Sequence, residues 1–573
     1  MKAEHLVAID YVTGRMSPAE RKQAEAHMAD CSQCQAAVIA VKQAQVQQQA
    51  DETLSALTNF AFRMWQGSVS ILAPLLRRVP FEPTAKTSET DKLPTFEPLR
   101  VLQPRVVRTA KRFVGRFGLV LLLTVAVLLL PTPAGLSPEG HRALAVFVFT
   151  GSILALEPVS LPIAALLIPV VMIALGLADT TLAFSTFSRP VVFLILASLF
   201  LAEGLRKHGL TRRLALSTIV ATGGGIPMLL LGLMGLAALF SMWVENTATA
   251  AVLIPVALTI SRQIPDPKKA RPLLVLLVLG IAYGASLGGM VTIMGSASNA
   301  VASGFLAQIQ PWTFFDWMKY GLPAFLLVFP VSWWLLLRLV RVPVQRLDVE
   351  PVREQVAKLG PMSRYERELL FTLGGAVVLW VSGSFIEEAL GLPSTLLSAA
   401  TVAVIAVGYL AVRNIINWED VKGVSWGIFL VIGAGLSLGE ALTRSGATDW
   451  LAGLITPLVK GPPPLVSILL MVTLTAFLTD LMSNTTVAAV FVPILITLAE
   501  NDPTLNAVQL VLPVTMATTF GYSLPSSSGR MALIAASGLV TRAEMLRTGV
   551  IVTLGSAAVL GLFFYVLTLL NWI

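Results

Sequence analysis

The sequence predicts an all-α polytopic membrane protein with two inverted repeats, re-entrant hairpins and broken helices, behind a small helical N-terminal domain. Three observations lead there. Apolar residues make up 55% of the chain and charged residues 13%, with a mean hydropathy of +0.77; soluble chains carry about 25% charge. About a dozen hydrophobic stretches follow residue 116, several near or beyond the roughly 20 residues that cross a bilayer. Polar residues interrupt two of these stretches at matching places.

The duplication is legible directly. Phe240–Pro255, FSMWVENTATAAVLIP, lies on Phe477–Pro493, FLTDLMSNTTVAAVFVP, so that Asn246 falls on Asn484, Thr247 on Thr485 and Pro255 on Pro493, an offset of 238. AEGLRKHGL and GEALTRSGA repeat with an offset of 237, pairing Glu203 with Glu440. Paired, interrupted hydrophobic segments in two halves of one chain point to a transporter's binding site.

Taken in order, residues 1–50 read as a soluble helical domain. Ser17-Pro18 with Glu20 forms a capping-box helix start. His27, Cys31 and Cys34 follow at spacings that bring them to one helix face, and these are the only two cysteines. Zinc takes four such ligands in a tetrahedron; His5, on an antiparallel first helix, supplies the fourth. The alternative is a metal-free pair of thiols. A structural disulfide does not suit the cytoplasm. Residues 51–115 read as an amphipathic helix and a linker broken by Pro80, Pro83, Pro94, Pro98 and Pro104.

The opening MKAEHLVAIDYV lacks the apolar core of a signal peptide. The net charge is +8, and Arg100, Arg105, Arg108, Lys111, Arg112 and Arg116 crowd the approach to the first span. Such clusters stay cytoplasmic, which places the N-terminus inside, and they suit anionic lipid rather than nucleic acid.

Residues 116–340 form the first repeat. Ser188–Leu216 reads as a hairpin dipping into the bilayer, the ENT segment follows, and Gly284–Gly304 is too rich in glycine and serine for an uninterrupted span. Unwound backbone at membrane depth needs protein or a water-filled cavity around it, whereas close helix packing is the other use of small residues. A charged loop, 341–368, with six basic residues, separates the halves and should be cytoplasmic. Residues 369–573 restate the plan: a hairpin over Trp418–Ile455, the SNT segment, and a second glycine- and serine-rich turn over Gly521–Gly538.

A helix broken in mid-membrane exposes amide N–H groups at the start of its second half, which suit an anion. Carbonyls freed at the end of the first half suit a cation. The candidate site therefore gathers Asn246, Thr247, Ser483, Asn484 and Thr485.

Two family resemblances sharpen this. His27-x3-Cys31-x2-Cys34, with the DYVTGRMSPAER lead-in, resembles the zinc-associated anti-sigma domain, a zinc-finger family, and implies His5, His27, Cys31 and Cys34 as ligands and a sigma factor as a partner. From residue 116 the chain resembles the divalent anion:sodium symporters, through SMWVENT, TDLMSNT and the two following turns. That resemblance implies a homodimer in the bacterial inner membrane, with a scaffold and a transport domain moving like an elevator. It implies a dicarboxylate, tricarboxylate or sulfate substrate on Asn246, Thr247, Ser483, Asn484 and Thr485, to which the departure at Arg530 adds a further candidate substrate contact. It implies sodium at two places, one built from Ser241, Asn246, Gly295 and Asn299, with Glu245 as an added candidate ligand, the other from Thr479, Ser483, Asn484 and Ser528.

The sequence also departs from that family. Glu245 stands where the family has Ser, and Ser528-Gly529-Arg530-Met531 replaces a Thr-Pro-Pro-Asn turn. A charge at membrane depth costs roughly 2.5–3.5 kcal/mol on insertion scales. Arg530 is expected to replace the second sodium or to pair with the anion; Glu245 to strengthen the first cation site, take a proton or balance Arg530. Competing readings are a structural pair in a degenerate site, an arsenite or Na+/H+ carrier, and a membrane sensor holding a sigma factor. No nucleophile–base pair suggests an enzyme.

Overall fold

The structure, a computed structural model, describes residues 106–393 and 395–572, with side chains from Gly115 onward. The expected zinc ligands His5, His27, Cys31 and Cys34, the amphipathic helix and the linker lie outside the described residues.

Every described element is helical apart from one isolated bridge, Gly225 with Arg346. Helices α1 (Val106–Leu129), α2 (Pro138–Leu156), α3 (Leu161–Ala174) and α4 (Thr180–Ser185) come first. The first series is α5 (Pro190–Lys207), α6 (Leu210–Ala221), α7 (Ile226–Ser241), α8 (Asn246–Ser261), α9 (Pro267–Gly289), α10 (Ala297–Ile309) and α11 (Phe314–Leu339). Next are α12 (Glu350–Lys358), α13 (Arg364–Leu390), α14 (Ala399–Val412) and α15 (Trp418–Val421). The second series is α16 (Trp426–Arg444), α17 (Ala447–Lys460), α18 (Pro464–Leu481), α19 (Asn484–Glu500), α20 (Ala507–Ala517), α21 (Gly529–Ser537) and α22 (Arg542–Leu569).

The two series correspond helix for helix, α5 with α16 through α11 with α22. Each opens with a hairpin whose turn is a left-handed glycine, Gly209 at φ +69 and Gly446 at φ +72. A Cβ is unfavourable there, and the two glycines are related by the same offset of 237. The second hairpin starts later than expected: Trp418–Val421 is a separate turn of helix, capped by Asn417 and Asp420.

Among the described residues, seven helices are long and apolar enough to cross a bilayer, or eight if Thr180–Ser188 and Pro190–Lys207, bent by 47°, form one span. Large apolar side chains such as Leu122, Phe371, Val378 and Phe385 are exposed, as contact with lipid tails requires. Helix α9 is the central one, buried almost throughout.

The glycine-rich stretch after Gly284 divides into two uses. Gly284 and Gly288 are helical and let α9 press against the backbone of Met234 and Ala238 on α7, the close approach that small residues permit. Only Met290–Ser296 is unwound. The connection 341–368 is likewise not all loop, since α12 lies within it and α13 begins at Arg364 behind a Ser363–Glu366 capping box.

A reciprocal arrangement puts the two breaks together. Helix α8, which follows the first break, packs on α21, and α19, which follows the second, packs on α10. Each half therefore lays its post-break helix against the turn of the other.

Candidate anion and cation site

Helix α7 stops at Ser241 and α8 starts at Asn246; α18 stops at Leu481 and α19 starts at Asn484. Both interruptions open on one cavity of 670 Å³, lined by Glu245, Asn246, Thr247, Ser483, Asn484, Thr485, Gly295, Ser528 and Arg530. That volume lies within the range of small-molecule sites. Ser241, Asn299 and Thr479 are fully buried and not in the cavity lining.

At the first break the polar atoms converge on the Asn246 amide. One amide atom faces the Ser241 hydroxyl, the Ala285 carbonyl at 3.1 Å and the Gly295 carbonyl at 3.0 Å. As nitrogen it donates to these oxygens. As oxygen it accepts from the Ser241 hydroxyl and stands beside the two carbonyls, a cluster of oxygens that suits a cation. Behind it, Asn299 Nδ2 donates to the carbonyls of Gly289 and Thr292, both at 2.8 Å, while its buried Oδ1 has no partner.

The second break repeats part of this. Thr479 Oγ1 lies 2.7 Å from Asn484 Oδ1 and 3.1 Å from the Thr518 carbonyl, the same i, i+5 relation as Ser241 and Asn246. At the turn, a guanidinium takes the place of an amide. Arg530 is 1% exposed; its Nη2 donates to the carbonyls of Thr519 at 3.1 Å and Gly521 at 3.4 Å, and its Nε has no hydrogen-bond partner. Gly289 and Gly521 are matched positions, so the same carbonyl is held by Asn299 in one half and by Arg530 in the other.

The helix starts differ as well. Ser483 caps α19, its Oγ accepting from Thr486 N at 3.3 Å and lying 2.7 Å from Thr486 Oγ1. At the matched position, Glu245 caps α8 with a carboxylate that accepts from Thr247 N at 2.9 Å, Ala248 N at 3.1 Å and Thr247 Oγ1 at 2.9 Å. Glu245 is thus turned forward onto its own helix, rather than back toward Ser241 and Asn299, and Thr247 is its partner. The reason is local: an extended residue before a helix offers its oxygens to the unpaired N–H groups.

The two halves touch closely here. A Cβ at Gly529 would lie 2.6 Å from Thr247 Oγ1. Ser296 Oγ is 2.8 Å from Ser298 Oγ, which accepts from Thr518 Oγ1 at 3.0 Å. Asp480 receives the Ser523 amide at 3.0 Å and so pins the second turn. Trp243, inside the first break, stacks on Trp380 with ring centres 5.7 Å apart and on Phe314 at 6.3 Å. Its counterpart by the repeat offset, Leu481, is the last residue of α18 and is 61% exposed.

Several participants lay beyond sequence reasoning. The carbonyls of Ala285, Thr518 and Thr519 are backbone groups and carry no side-chain signature. Glu203 was visible only as a repeat marker; it lines the cavity in an ion pair with Arg206, while its counterpart Glu440 pairs with Arg189 at 3.0 Å. Among the described residues no group of three or more His, Cys, Asp or Glu is placed to hold a metal ion.

Twin broken helices meeting at one cavity inside an apolar helical body define a membrane carrier. The family described as "Sodium:sulfate symporter transmembrane region" matches residues 110–572, and the chain belongs to it. An uncharacterized transporter of Haemophilus influenzae is 32% identical over 73% of this chain and 89% of its own length. The sodium-dependent dicarboxylate transporter SdcS of Staphylococcus saprophyticus is 29% identical over 78% of this chain and 91% of its own. A solved structure, the YdaH transporter of Alcanivorax borkumensis, described as having an unusual topology, aligns over 81% of this chain and 98% of its own with a TM-score of 0.43 and 14% identity.

Proposed function

We propose that this protein is a sodium-coupled secondary transporter of small divalent anions in which Arg530 serves as a built-in cation in the second half. Membership of the symporter family supports the transport class, and the sodium-dependent relative supports the coupling ion. The observation that carries the altered coupling is the matched pair of turns, where Asn299 holds the Gly289 carbonyl and Arg530 holds that of Gly521. In the first half, sodium takes the oxygens of Ser241, Asn246 and Gly295, turning the Asn246 amide oxygen inward, and the unpartnered Asn299 Oδ1 is the reserve ligand nearby. In the second half, a guanidinium already neutralises the carbonyls. The anion sits on the α19 terminus at Asn484 and Thr485, facing Arg530.

The rest of the reading follows the family resemblance: a homodimer in the bacterial inner membrane, a scaffold and an elevator-like transport domain, repeats at 116–340 and 369–573 joined by a cytoplasmic loop, and a cytoplasmic N-terminal module. That module would hold zinc on His5, His27, Cys31 and Cys34 and offer a surface to a sigma factor or another cytoplasmic partner.

Sodium titration of anion uptake into proteoliposomes tests the central claim. Cooperativity is bounded by the number of coupled sites, so a Hill slope of about one is expected, and a slope of about two or more in the unmodified protein contradicts the role given to Arg530.

A further inference from the structure

We infer that Glu245 makes this carrier selective for anions whose negative charge lies on a single centre, such as a tetrahedral dianion, over solutes with two carboxylates held apart. The inference rests on the transport reading above and narrows its substrate class.

The argument is one of occupancy. Two helix starts, at Asn246 and at Asn484, border the cavity. Equivalent starts would each receive one end of a two-headed dianion, because each presents free N–H groups and a partial positive charge. Here they are not equivalent. The first start is already filled, since the Glu245 carboxylate receives Thr247 N, Ala248 N and the Thr247 hydroxyl. At the matched position of the second start stands the neutral Ser483, which receives one backbone amide, Thr486 N, and shares a hydrogen bond with the Thr486 hydroxyl.

A second carboxylate of an extended solute would meet Glu245, a like charge, where it needs a donor. A compact dianion avoids that end. It places its whole charge against the α19 start and Arg530, whose guanidinium is buried, borders the cavity and keeps Nε unpartnered. Fixed negative charge thus stands on the first helix start, while the second start is neutral and the unpartnered guanidinium nitrogen borders the same cavity.

The test uses the full-length protein in proteoliposomes at neutral pH with saturating sodium, measuring uptake of labelled sulfate and labelled succinate. Wild type should favour sulfate by about tenfold or more, the scale of one like-charge juxtaposition. Glu245→Ser, which copies the second half, should move the sulfate-to-succinate ratio toward succinate by a similar factor. Glu245→Gln retains a capping oxygen without the charge and should move it in the same direction. Because the readout is a ratio within one preparation, a smaller folded fraction does not mimic the effect. Wild type that favours succinate, or a ratio unmoved in both variants, overturns the role of Glu245 and leaves the transport reading standing. Uptake of neither anion overturns both.

Discussion

At the first interruption a carboxylate closes the helix start and amides arrange the carbonyls; at the second a hydroxyl closes the start and a guanidinium arranges the carbonyls. Both interruptions share the i, i+5 link, Ser241 with Asn246 and Thr479 with Asn484, so the ancestral plan is visible under the change. What differs is where fixed charge resides. Glu245 adds a negative charge at the first helix start, Arg530 a positive charge at the second turn. A duplicated unit can thus keep its backbone while its two copies take opposite electrostatic roles, because the backbone groups at a helix break accept either a mobile ion or a tethered one.

Breaking the contrast at Arg530 should have the largest effect. Arg530→Met leaves the Thr519 and Gly521 carbonyls without their donor, and each unsatisfied buried group costs about 1–3 kcal/mol. Anion uptake should be abolished and detergent-purified protein should melt at a lower temperature in a thermal-shift measurement. The sharper version makes the second turn copy the first: the double variant Arg530→Ser with Met531→Asn reproduces the Ser296–Asn299 pattern. Its sodium dependence should steepen from a Hill slope of about one toward about two, read by sodium titration of uptake.

Next in size is the contact between the halves. Gly529→Val drives a branched side chain into Thr247, an overpacking cost of about 1–3 kcal/mol. Uptake should fall with reduced thermal stability, and a companion Thr247→Ala should recover part of both. Smaller again is Gly446→Ala in the second hairpin turn, where the left-handed backbone penalises a Cβ by about 1 kcal/mol; a thermal-shift assay should show it while the sodium slope stays unchanged. The smallest effect belongs to Ser483→Ala. Loss of this cap costs about 1 kcal/mol or less, and its stability change should be below that of Glu245→Ala, which forfeits three hydrogen bonds.

Much of this was legible before the structure. Asn and Thr after a break, Pro nine residues on and the nearly constant offset placed both interruptions, because polar side chains in an apolar run need a polar surrounding. The division of the Gly284–Gly304 stretch was not legible, since a glycine pressed against a neighbouring helix and one in an unwound turn look alike in sequence. The orientation of Glu245 was also hidden. A glutamate before a helix can face backward to a cation or forward to amides, and here its bonds to Thr247 N and Ala248 N show the forward direction. The nine-residue α12 reads as loop in the sequence because its charged composition masks a short amphipathic helix.

The stack of Trp243 on Trp380 and Phe314 has a mechanical consequence. Three flat rings bolt the first interruption to α11 and α13, so a displacement there must drag two long helices or break the stack. Leu481 gives the other interruption no such fastening. If the two sides of the cavity part during a cycle, the Ser483–Thr485 side is the free jaw and the Glu245 side the anvil.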